Sequence, residues 1–116
     1  MEKVKIKIPC NPKYLLTVRL ATSSFASILD FDLEAVEDLK VSISEVVNYI
    51  IPYNEEEVKI EYYLFEDKME IKVEADKDIF EHYVLTEELK LKRQILLCLT
   101  DDIRTEGNSI TIVKNK

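Results

Sequence analysis

Glycine is almost missing: Gly107 is the one glycine in 116 residues. Loops that wrap phosphates need several backbone positions free of a Cβ, so a glycine-rich nucleotide loop is excluded. Cysteine is scarce as well. Cys10 and Cys98 stand far apart, in no CxxC or metal-ligand spacing, which argues for reduced, packed thiols. No apolar run approaches the roughly 20 residues that cross a bilayer. The charged start, Met1 to Lys7, is followed by no signal-peptide core, so the expected location is the cytoplasm, with no membrane partner. Basic residues are also in deficit. Against 23 acidic residues stand 16 basic ones, a net charge of −7, which repels nucleic-acid phosphates. Lys3, Lys5 and Lys7 alternate as one solvated strand face. His82, the only histidine, sits among Asp76, Asp78 and Glu81 in a spacing that fits no common metal site. No serine, cysteine or histidine set forms a nucleophilic triad.

What is present describes a folded chain. Hydrophobic residues make up 47% and charged ones 34%, and the length suits one domain over residues 1–116. Lys5 to Pro9 alternates as a strand. Asn11-Pro12 then starts a helix to about Leu29, with the stripe Tyr14, Val18, Ala21, Phe25 and Ile28. Asp32 caps a second helix with the stripe Val36, Leu39, Ile43, Val46 or Val47, and Ile50, and Pro52 stops it. Beyond Glu55-Glu56-Glu57 the period changes to two. Val58, Ile60, Tyr62 and Leu64 are answered by Met69, Ile71, Val73 and Ala75 across a turn at Glu66-Asp67, which predicts a β-hairpin. Thr86 caps a third helix through about Thr100. Leu89, Ile95, Leu96, Cys98 and Leu99 make it apolar nearly all round, which predicts burial under the sheet. A last hairpin turns at Glu106-Gly107-Asn108. The expected fold class is α+β: a two-layer sandwich whose mixed, mostly antiparallel sheet is covered on one face by three helices.

Lys7-Ile8-Pro9, Pro12-Lys13-Tyr14, Val18-Arg19-Leu20 and the run Val36 to Glu45, VEDLKVSISE, resemble the anti-sigma-factor serine kinases of the RsbW and SpoIIAB type. Those proteins share the histidine-kinase-like ATPase fold. The resemblance extends to the second half through Phe65-Glu66-Asp67 and Thr100-Asp101-Asp102-Ile103. It places Glu45 where the family carries its general base. The family's magnesium-holding asparagine falls at Tyr49, and the available amide, Asn48, lies one residue early, rotated by about 100° on a helix. The family's Asp-x-Gly-x-Gly adenine motif falls on Ala75-Asp76-Lys77-Asp78-Ile79. With either Ala75 or Asp76 as the aligned residue, both glycines are gone. The glycine-rich lid should lie between about Ile79 and Gln94, and that interval holds no glycine and reads as shortened.

These departures imply a non-catalytic, degenerate kinase without cofactor or metal, in which Glu45, Asn48 and Asp76 are vestigial. The expected function is then binding of a sigma factor or an anti-anti-sigma-type protein, by a homodimer as the family implies. The resemblance puts the contact arginine at Arg19. Leu15, Leu16, Thr22 and Ser23 are expected beside it, and Leu16 and Leu20 lie off the buried stripe. Two alternatives stand beside this reading: an active ATP-dependent serine kinase with divergent motifs, using Glu45 as base and Asn48 as metal ligand, and a structural dimerisation domain.

Overall fold

The strand and helix periods resolve into one sheet with helices on one face. The computed structural model describes residues 1–82 and 87–116. Strand β1 (Glu2–Pro9) leads through a 3-10 turn (Pro12–Tyr14) into α1 (Leu15–Ile28), then α2 (Leu33–Ile50) and a second 3-10 turn (Ile51–Tyr53). Strands β2 (Glu57–Leu64) and β3 (Lys68–Glu74) follow, then α3 (Ile79–His82), α4 (Glu87–Leu99), β4 (Asp102–Glu106) and β5 (Ser109–Asn115). The sheet order is β1-β2-β3-β5-β4, with every pairing antiparallel. No helix among the described residues is long and apolar enough to cross a membrane. The expected cap Thr86 lies outside the described residues.

Local signals account for the helix ends. Asn11 Oδ1 accepts from the Lys13 N–H at 3.0 Å, and Asp32 Oδ1 from the Ala35 N–H at 2.8 Å. Each satisfies a donor that the first turn leaves orphaned. In α2 the whole expected stripe is buried, and the helix ends before Pro52. In α1 the stripe is displaced. Val18, Thr22 and Ala26 are the buried residues, while Ile28 is exposed. The expected envelopment of α4 is also corrected. Leu96 is buried, but Leu91, Leu97 and Cys98 are exposed, because α4 packs along α2 and β4 rather than beneath the sheet.

Alternation in the strands gives the sheet two unlike faces. Toward the helices, Ile8, Val58, Ile60, Tyr62, Met69, Ile71, Val73, Ile110 and Ile112 join the core with Leu39, Ile43, Val47 and Ile50. Each such fully buried aliphatic side chain contributes about 1.5–3 kcal/mol. On the other face, cross-strand rows carry charge, such as Lys5, Glu61 and Lys72, or Lys7, Lys59 and Glu74. Lys3 and Lys5 pair with Glu61, Lys72 with Glu74, and Arg104 with Glu70.

Gly107 serves a turn. At the first of two loop positions between β4 and β5 its φ is +57°, which glycine adopts without a Cβ clash. Its carbonyl accepts from Phe80 N at 3.2 Å, and Asn108 brackets Ala75 from both backbone and side chain. The hairpin turn thereby fixes the start of α3 against the end of β3.

Candidate functional site

Glu45 lies on α2, half-buried, with its carboxylate toward α4. Residues four apart share a helix face, so Tyr49 is turned the same way and is buried. Asn48 sits on the exposed side of the helix. Tyr49 packs its ring between Tyr53, centroids 5.4 Å apart, and Phe80, at 5.9 Å. Together Val46, Tyr49, Phe80, Leu96 and Ile110 line a small apolar pocket, with Glu45 and Lys92 as its two charged lining residues. Lys92 Nζ donates to Glu45 Oε2 at 2.7 Å. The free volume is about 10 Å³, the space of one water.

Lys92 was not marked by the sequence reading. A signal for it exists, because it stands one turn before Leu96, the buried residue of α4, and so lies on that helix's inward stripe.

Asp76 is elsewhere and otherwise engaged. Its Oδ2 accepts from the backbone N–H groups of Glu55, at 2.9 Å, and Glu56, at 3.0 Å, while its own N–H donates to Asn54 Oδ1. The Glu55 N–H, more than any other contact, holds this carboxyl below the usual carboxylate range, and the Glu56 N–H and Lys77 add to it. Asp76 staples the segment before β2 to the end of β3, and it shares no lining residue with the Glu45 pocket. Glu45 and Asp76 thus line different pockets among the described residues. The structure turns Asn48 away, and the described residues contain no group of three His, Cys, Asp or Glu side chains able to hold a metal ion. A magnesium site built on Asn48 does not fit this geometry. Part of the interval expected to hold the lid, residues 83–86, lies outside the described residues.

The α1 surface is assembled differently from expectation. Leu16 and Leu20 are exposed, at 65% and 59%. Arg19 between them is half-buried, and its Nε is buried without a hydrogen-bond partner among the described residues. Ser23 is half-buried, and Leu15 packs against the core. Thr22 is corrected: it is fully buried, donates to the Val18 carbonyl at 2.8 Å and bonds the Tyr62 hydroxyl at 2.7 Å, so it belongs to the interior. The thiols are free, and burial, with a smaller contribution from the Asp76 charge, pushes Cys10 up, away from reactivity.

No family model matches the chain. Individual relatives do. A protein of Listeria innocua serovar 6a named serine-protein kinase RsbW is 28% identical over 136 residues, covering 97% of this chain and 87% of the relative. Proteins of the same name from Bacillus velezensis and Bacillus subtilis are 34% and 32% identical over shorter stretches, covering 70% and 67% of this chain and 54% and 52% of theirs. The 136-residue match is longer than this entire chain, so the Listeria protein carries insertions within it.

The expectation of a degenerate non-enzyme is overturned here, because these relatives carry the name of a serine-protein kinase. That expectation rested on the displaced asparagine, the missing glycines and the shortened lid interval, and a family resemblance at Glu45, which lies in a pocket, stands beside them. This chain is of the RsbW and SpoIIAB type, a relative of the anti-sigma-factor serine kinases.

Proposed function

We propose that the chain is an ATP-dependent protein serine kinase of the partner-switching kind. It binds a sigma factor in the cytoplasm and phosphorylates a serine of the anti-anti-sigma-type protein that competes for it. The observation that carries this reading is Glu45, held half-buried on α2 against an apolar pocket whose aromatic walls, Tyr49 and Phe80, suit a nucleobase. ATP, when bound, supplies the phosphoryl group. Glu45 takes the proton of the attacking serine hydroxyl, and that role needs a carboxylate near the transferred group.

Support for the partner surface comes from α1. An arginine with an unpaired buried Nε, flanked by two exposed leucines, offers a planar fork for a carboxylate and apolar area around it. Homodimerisation is part of the proposal, since β1 pairs only with β2 and leaves its other edge without a strand among the described residues.

The test is phosphate transfer. Glu45→Gln should lower the rate of phosphoserine formation on an anti-anti-sigma-type substrate by about 10²–10⁴-fold without weakening ATP binding measured by calorimetry. Equal transfer rates in the two proteins would remove Glu45 from the reaction. Absence of ATP binding by the wild type would remove the kinase reading itself.

A further inference from the structure

We propose that Lys92 is the gate of the Glu45 pocket: its ion pair with Glu45 closes the pocket, and a nucleoside gains access only when that pair opens. The identity of the ligand rests on the kinase reading above; the closure rests on geometry. The pocket's free volume is about 10 Å³, whereas sites for small molecules run to hundreds of Å³. A nucleoside therefore cannot enter this conformation, and α4 has to move relative to α2.

The polar ties of α4 show which end moves. At its C-terminal end, Lys114 Nζ donates to the Leu99 carbonyl at 2.7 Å and pairs with Asp38 of α2 at 3.2 Å, so that end is pinned to β5 and α2 together. Nearer its N-terminal end, the polar tie to α2 among the described residues is Lys92 to Glu45, which joins residues 47 positions apart in the chain. Their side chains are only 20% and 30% exposed, so water screens the pair in part. Around it the pocket is lined mainly by apolar side chains, Val46, Phe80, Leu96 and Ile110, with the Tyr49 ring. Among the described residues this charge-assisted bond is what ties the N-terminal half of α4 down over Val46, Tyr49 and Phe80. The same bond fixes the direction of the Glu45 carboxylate, engaging Oε2 and leaving Oε1 without this donor. Lys92 acts through Glu45 and is a positioning residue.

Adenosine is the probe for this test because it carries no phosphate: a change in its affinity reports access to the pocket and not attraction between Lys92 and a polyphosphate. Titrated by calorimetry or NMR, Lys92→Met and Glu45→Gln should both bind adenosine about three- to tenfold more tightly than the wild type, while Lys92→Arg, which keeps the pair, should match it. A purely structural lysine predicts the opposite, since loosening the wall would weaken binding in Lys92→Met and Glu45→Gln alike. Adenosine affinity that is unchanged or reduced in Lys92→Met, with ATP still bound by the wild type, overturns the gate and leaves the kinase reading intact. If neither wild type nor variants bind adenosine or ATP, the kinase reading fails, and hydrogen exchange of the α4 amides decides the gate alone. Faster exchange in the N-terminal half of α4 in Lys92→Met upholds it, and unchanged exchange overturns it.

Discussion

Thr22 and Tyr62 form a polar pair inside the core, with oxygens 2.7 Å apart and both side chains fully buried. Burial pushes the Tyr62 hydroxyl up to about 12, and the bond to Thr22 offsets this only in part. The folded value lies above the ordinary one near 10, so the folded protein holds this proton more tightly than the unfolded chain. Its contribution is fully present below about pH 10 and is lost as the pH climbs toward 12, at up to roughly 1.4 kcal/mol per unit. Urea midpoints at pH 7, 10 and 11 should fall across that window in the wild type and fall less steeply in Tyr62→Phe. That variant should cost about 1 kcal/mol at pH 7 through the lost hydrogen bond; parallel alkaline slopes in the two proteins would refute the assignment. The pair also explains why Thr22 was misread as surface. Threonine is polar by type, and its partner lies 40 positions away, which no local pattern reports. The partner of Lys92, 47 positions away, is equally beyond local pattern, although its place one turn before Leu96 marks it as inward-facing, whereas Glu45 was legible because the run around it resembles a family motif.

Elements whose burial follows from their own period were the most legible. For α2 the stripe, the Asp32 cap and the Pro52 stop all agree with the structure. On α1 the stripe turned because Thr22, discounted as polar, belongs to it. On α4 the apolar count could not say which side has a neighbour, so Cys98 was expected in a core that it does not reach, while Leu96 does reach it. The junction after α1 holds a further detail. Asp30 takes φ of +60°, its N–H donates to the Ser27 carbonyl, and the Phe31 N–H reaches back to Ala26, the paired bonds of a Schellman ending. Glycine is the usual occupant of that left-handed position, and a Cβ there is strained. Asp30→Gly should therefore raise stability by about 0.5–1 kcal/mol in urea unfolding. A loss of stability would mean that the aspartate side chain contributes more than its backbone strain costs.

At the scale of the molecule, strands and helices were legible but their pairing was not. Periodicity marks β4 and β5 as a hairpin, yet nothing local places β5 between β3 and β4. The all-antiparallel sheet with helices on one face agrees with the expected α+β sandwich. The proposed binding surface belongs to this scale too, because Arg19, Leu16 and Leu20 acquire meaning only as a patch. Arg19→Glu should reduce capture of a sigma factor or anti-anti-sigma-type protein from a lysate of the source cells by about tenfold or more, read by mass spectrometry of retained proteins. Equal retention by both proteins would place the binding surface elsewhere.

The charged rows on the outer face of the sheet have an electrical consequence. Lysines and glutamates there nearly cancel, so the surplus behind the chain's net −7 falls on the helical layer and the loops. Most of that surplus sits in the connecting segments, where Asp30, Asp32, Glu55, Glu56, Glu66, Asp67, Asp76, Asp78 and Asp101 outnumber Lys13, Lys77 and Lys116. Its field turns an approaching charged protein before the surfaces touch, and that steering fades as added salt shortens its reach to about 8 Å at physiological ionic strength.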